Sequence, residues 1–155
     1  ADRIGVMENG TIVQTGTPRE VFTRPRSEFV ADFIGVRNFF RGELVDRDGE
    51  LKEFRTDGVS FAVLTDQKPG RGNIIIRSTD ITISAERVST SARNCFRARV
   101  SDFFPAGPGI EVIMDTGVEF AVMVTEQSFE SIDIRRGAEL FVSIKASAIK
   151  FMRVE

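Results

Sequence analysis

The sequence predicts a mainly β chain, two small β-barrels in tandem behind a short α/β segment, and three observations carry that prediction. Glycine is plentiful, 13 residues against 5 Pro, and it punctuates short runs in which apolar and polar residues alternate, the period of a strand. Helical spacing is confined to the stretch before Gly35 and to one arm that begins at Thr125. From Asn38 onward the chain also repeats itself, the mark of a duplicated unit.

The elements follow in order. Ala1 to Met7 is apolar-rich, and Glu8-Asn9-Gly10-Thr11 reads as a hairpin turn into Thr11-Ile12-Val13-Gln14, because both central residues of such a turn need positive φ. Thr17-Pro18-Arg19-Glu20 is a capping box, with Thr17 as N-cap, Pro18 at the first helical position and Glu20 reaching back. Pro25 ends that helix and Ser27 caps the next, whose face is Phe29, Val30, Phe33 and Ile34. Gly35 is the natural stop, and a domain boundary is expected near Val36. A chain without an initiator Met that opens inside a hairpin reads as a piece of something larger.

The repeat has three blocks in the same order. Asn38-Phe39-Phe40-Arg41 echoes Asn94-Cys95-Phe96-Arg97; Gly58-Val59-Ser60-Phe61-Ala62-Val63 echoes Gly117-Val118-Glu119-Phe120-Ala121-Val122; Ile76-Arg77-Ser78-Thr79-Asp80-Ile81 echoes Ile144-Lys145-Ala146-Ser147-Ala148-Ile149. Two halves are therefore expected, 36–87 and 88–155, joined by a Ser/Thr-enriched linker from Glu86 to Ser91. Each holds four or five short strands, enough for an OB-like barrel, since closure removes open sheet edges. In the second half Val118, Phe120, Val122 and Val124 alternate with Glu119, Ala121 and Met123, and Leu140, Val142 and Ile144 with Phe141, Ser143 and Lys145. The first set of each strand is the expected core. A Phe beside a Lys on the other face is expected to meet another surface. Thr125 to Arg135 has no counterpart in the first half and predicts one or two helical turns.

Composition excludes several kinds of chemistry. With 14 Phe and neither Trp nor Tyr, Phe carries the aromatic packing; no His is present, so Ser-His or Cys-His catalysis and the usual zinc sites are impossible. Cys95 is the single cysteine, which rules out an internal disulfide and a multi-Cys metal site; a buried structural thiol is expected there. A net charge of −2 argues against a nucleic-acid or membrane-surface binder, and no apolar run approaches the roughly 18 residues of a spanning helix. The lysines are Lys52, Lys68, Lys145 and Lys150, none after a Gly, so no phosphate loop exists. Catalytic residues and metal ligands are therefore expected to be absent, and the fragment is not expected to hydrolyse ATP.

One constellation points to binding. A small tetrahedral dianion is held by backbone N–H groups, hydroxyls and a fixed cation. Thr125 and Ser128 offer hydroxyls at a helix start, Lys145 a charge, and Ser91-Ala92-Arg93-Asn94 a tight polar turn. The same residues also read as an ordinary helix cap and a solvated edge lysine, and Glu126 would repel an anion unless it points away. Pro105-Ala106-Gly107-Pro108-Gly109 reads as a hairpin loop, and Arg135-Arg136 as a solvated turn.

Beyond these physical readings, Ala1 to Met7, Gly10 to Pro18, Glu20-Val21-Phe22 and Phe29 to Gly35 resemble the end of an ABC-transporter ATPase domain that leads into a TOBE-type C-terminal domain. Ser91-Ala92-Arg93-Asn94, Thr125-Glu126-Gln127-Ser128 and Lys145-Ala146-Ser147 resemble the molybdate-binding (MOP) module. The resemblance implies an ATPase remnant over 1–35, a first OB-like half over 36–87 and an oxyanion-binding MOP-like half over 88–155. It implies oxyanion contacts from Ser91, Ala92, Arg93, Asn94, Thr125, Ser128, Lys145 and the amide of Ala146. Molybdate or tungstate would be an effector, with ATP and Mg held only by the full-length parent. The implied partners are a second copy of the chain and the membrane-spanning permease subunits, at the cytoplasmic face of the membrane, without nucleic acid. The first half keeps Arg77-Ser78 at the place of Lys145-Ala146 but lacks a Thr-x-x-Ser arm. A ligand-free pairing domain of an importer for sulfate, a sugar or a polyamine is the alternative.

Overall fold

The computed structural model describes residues 3–17, 20–21, 24–33, 38–47, 50–88 and 94–154. The predicted stop at Gly35 and boundary near Val36 fall outside them. The first unit is local in origin. Strands β1 (Ile4–Glu8) and β2 (Thr11–Gly16) pair antiparallel across Asn9 and Gly10, whose φ values are 49° and 79°, the left-handed pair a two-residue hairpin demands. The capping box forms as expected: Glu20 Oε2 accepts from the Thr17 N–H at 2.8 Å, and Thr17 Oγ1 from the Glu20 N–H at 3.2 Å. Ser27 Oγ accepts from the Val30 N–H at 3.2 Å and opens α1 (Glu28–Phe33). Buried Gln14 fastens the hairpin to the following segment, donating to the Arg24 carbonyl at 3.0 Å and accepting from the Arg26 N–H at 2.8 Å. Val6, Val21 and Val30 form a small core of their own, against Ile4, Val13 and Phe29.

The rest is two five-stranded sheets. The first half supplies β3 (Asn38–Val45), β4 (Leu51–Thr56), β5 (Val59–Leu64), β6 (Gly70–Ile76) and β7 (Ile81–Ser84). The second supplies β8 (Asn94–Ala106), β9 (Gly109–Asp115), β10 (Glu119–Val124), α2 (Glu126–Ile132), β11 (Glu139–Ile144) and β12 (Lys150–Arg153). Strand order is β12-β6-β3-β4-β5 in one sheet and β10-β9-β8-β11-β7 in the other. Each half therefore lends its last strand to the other: Ile81–Ser84 pairs with β11, and Lys150–Arg153 with β6. β7 also packs against β10 at the far end of its sheet, curling that sheet toward closure. The halves predicted at 36–87 and 88–155 are interlocked, a feature that alternation alone does not reveal, because a strand has the same pattern whichever sheet it joins.

The repeat is visible in detail. β6 and β11 both run into a 3₁₀ turn, Ser78–Asp80 and Ala146–Ala148, each opened by an extended cation: Arg77 at φ −69°, ψ 139° and Lys145 at φ −69°, ψ 136°. The 78–80 turn lies against β10 and the 146–148 turn against β5, so each half leans on the other's strand. Phe40, Phe61, Phe96 and Phe120, two from each half, pack with ring centroids 5.5–6.1 Å apart. They sit within one continuous apolar cluster that runs through both sheets. Beside them two buried asparagines reach across. Asn38 donates to the Ala121 carbonyl at 2.8 Å and accepts from its N–H at 2.7 Å, while Asn94 does the same to Ala62 at 2.9 and 2.7 Å. Ala121 alternates with the expected core set of β10, yet it and its counterpart Ala62 are both buried where the asparagine side chains reach their backbone.

The outer face of β11 departs from expectation. Phe141 is half-buried, with the Arg87 guanidinium 5.4 Å from its ring centre, and Ser143 is buried, donating to Cys95 Sγ at 3.6 Å. Cys95 and Arg87 of the same chain thus cover part of this face, leaving Phe141 half-buried and Lys145 exposed. Cys95 is half-buried, as that contact leaves it.

Candidate functional site

Thr125 ends β10 and caps α2 with its side chain: Thr125 Oγ1 accepts from the Ser128 N–H at 3.1 Å and donates to Ser128 Oγ at 3.0 Å. The arm is thus the short helix that its hydroxyl start predicts, closed at Asp133 in the left-handed region (φ 60°). Thr125 is exposed and Ser128 half-exposed.

What holds this arm against the barrel is less local. A register shift between Val100 and Asp102 in β8 bends the strand, as a bulge does, and just beyond it Phe103 meets Phe129 of α2 edge-on at 4.8 Å. The Arg136 guanidinium lies 4.4 Å from the Phe103 ring centre and donates to Asp102 Oδ1 at 2.9 and 3.2 Å. The Phe103 N–H beside Asp102, and then Arg136, hold the Asp102 carboxyl below its ordinary value. The expected solvated turn at Arg135-Arg136 is therefore half right: Arg135 forms an exposed pair with Asp133 at 2.9 Å, whereas Arg136 clamps the base of the arm.

Lys145 is exposed at the end of β11, and among the described residues its ammonium makes no hydrogen bond or ion pair. Its carbonyl accepts from the Ala148 N–H at 2.9 Å, closing the turn in which Ala146 is buried. Asn94 is 4% exposed, and besides its two bonds to Ala62 it donates to the Ile144 carbonyl at 3.3 Å. Both carboxamide protons are used, so the side chain has no donor left for an anion. Ser91, Ala92 and Arg93 lie outside the described residues. Among the described residues no hydrogen bond joins Lys145 to Thr125 or Ser128. The first belongs to a turn lying on β5, the second pair to an arm following β10, the strand flanked by the 78–80 turn.

A cleft of about 1290 Å³ lined by Glu20, Arg24, Lys52, Asp66 and Lys150 contains none of the predicted contacts, and its charges are mixed. Among the described residues no His/Cys/Asp/Glu group is placed to hold a metal ion, and no helix is long and apolar enough to cross a membrane.

Interlocked small barrels with this motif order define the class: the chain carries a TOBE domain, matched over residues 90–151, and corresponds to the C-terminal part of ABC-importer ATP-binding proteins. Over 149 residues, 96% of the chain, it is 37% identical to the molybdate/tungstate import ATP-binding protein WtpC of Pyrococcus horikoshii, and over 150 residues it is 37% identical to that of Pyrococcus abyssi. It spans only 41% and 42% of those two proteins. The spermidine/putrescine import ATP-binding protein PotA of Trichormus variabilis is 31% identical over 121 residues, covering 74% of this chain and 31% of that protein. In fold the chain is similar to the cytoplasmic molybdate-binding protein ModG, solved with molybdate bound, with a TM-score of 0.64 at 20% identity over 76% of this chain and 96% of that one.

Proposed function

We propose that this chain is the regulatory C-terminal part of an ABC-importer ATP-binding subunit, and that it binds a molybdate- or tungstate-type oxyanion to control transport. The observation that carries the reading is the likeness, over 96% of this chain, to molybdate/tungstate import ATP-binding proteins, in a chain whose Lys145 ammonium is exposed and whose Ser128 hydroxyl donates no hydrogen bond among the described residues. In this reading the site is completed between two copies. Thr125 and Ser128 come from one, Lys145 and the Ala146 amide from the other, with backbone N–H groups of Ser91, Ala92 and Arg93 as the remaining wall. Asn94 contributes no side-chain donor.

In this arrangement two lysines approach the joint between copies, repel each other when it is empty, and are relieved by a dianion. A ligand that binds the paired state better shifts the ATPase subunits toward it, and high cytoplasmic oxyanion would stop import. The parent chain would hold ATP and Mg and dock on the permease subunits at the inner membrane face; this fragment performs no catalysis. Titration with sodium molybdate by calorimetry, with chloride as blank, tests the reading: saturable heat is expected, and heat no greater than the chloride blank overturns it.

A second reading has its own observation. Importer ATP-binding proteins for spermidine/putrescine and for Fe(3+) ions also match 74% and 55% of this chain, which supports a ligand-free pairing domain as the alternative. Lys145→Ala separates the two: it abolishes anion binding under the first and changes nothing under the second.

A further inference from the structure

Asn94 stands where two parts of the molecule meet. Its Nδ2 donates to the carbonyl of Ile144, the residue before Lys145, and its other two bonds grip Ala62 in β5 of the first half. Having no proton left to offer, it cannot ligate an anion through its side chain. We propose that Asn94 is a positioning residue: it ties the Lys145–Ala146 turn to the backbone of β5, and so makes the first half part of the anion site without its side chain touching the anion. The inference rests on the oxyanion reading above.

The physical reason is the tolerance of such a site. Backbone and side-chain donors must converge within fractions of an ångström, and a three-residue turn does not hold that convergence unaided. One buried carboxamide with three bonds fixes the turn, and it does so against a strand embedded in the continuous core. Asn38 is a built-in control. Its two-bond clamp on Ala121 is the same in kind, but it ends four residues before Thr125, where the arm has its own anchor in Phe103, Phe129 and Arg136.

The test compares wild type, Asn94→Ala and Asn38→Ala by molybdate calorimetry, below the melting transitions found by circular dichroism. Both variants are expected to lose stability to a similar degree. In the folded state Asn94→Ala is expected to weaken molybdate about tenfold or more, as loss of an outer-shell tie does, and Asn38→Ala to stay within about twofold. Unchanged affinity in Asn94→Ala, or equal losses in both variants, overturns the positioning role and leaves the oxyanion reading standing. No molybdate heat in the wild type overturns both. Should Asn94→Ala not fold, amide exchange in the wild type decides: the Ala62 N–H is expected to exchange several-fold more slowly with saturating molybdate, and an unchanged rate overturns the proposal.

Discussion

A buried side-chain amide that serves a backbone across a joint leaves that backbone with no substitute when it is removed. Asn38→Ala strands both the N–H and the carbonyl of Ala121, so a loss of about 1–3 kcal/mol is expected in urea unfolding, the cost of unsatisfied buried groups. Phe61→Ala empties the centre of the four-ring cluster and is expected to cost about 3–5 kcal/mol by the same measurement. Carboxylates act at this scale too. Glu20 is held below its usual value of 4.5 chiefly by the Thr17 N–H, Glu53 chiefly by Arg55, and Asp102 chiefly by the Phe103 N–H. Their stabilisation is fully present above the ordinary carboxylate range and lost as pH falls through the depressed values. The urea midpoint is therefore expected to fall between about pH 5 and about pH 3, and to fall less in the triple variant Glu20→Gln, Glu53→Gln, Asp102→Asn. The Asn38/Asn94 pair was legible in the sequence as a repeat mark, but not as a clamp. Each partner lies far along the chain, 83 and 32 residues away, and no local pattern records such a contact.

Among elements, what was legible is what is local. The Asn9-Gly10 hairpin, the Thr17/Glu20 box and the Thr125 cap are all written within four residues, and each forms as its chemistry requires. The anchor of α2 is written across 34 residues, from Asp102 to Arg136, and nothing in a paired arginine before a glycine announces it. Arg136→Ala removes a cation over Phe103 and the pair with Asp102, both exposed. The expected result is faster amide exchange throughout α2 with little change in melting temperature. Of the proposed oxyanion site, the hydroxyl pair and the lysine were legible as candidates because residue type and motif order are sequence properties. Their distribution over different strands could not, because it depends on which half leans on which.

For the whole molecule the exchanged strands matter most. Separating the chain after residue 87 takes β7 away from β11 and β12 away from β6, leaving two sheets with raw edges. Residues 88–155 expressed alone are expected to give no folded monomer by circular dichroism and gel filtration. Co-expression with 1–87 is expected to restore a complex that melts cooperatively. A cooperative monomeric melt from 88–155 by itself would show that the exchange is dispensable.

The exchange also has a bearing on synthesis. Residues 72–75 wait for 150–153, so while the chain is still leaving the ribosome the first barrel stays open along β6, even with every other strand in place. The first barrel therefore cannot close until residues 150–153 have emerged, and a product that stops short of them carries a permanently sticky edge. A shut first barrel therefore certifies that the chain has been made at least as far as Arg153.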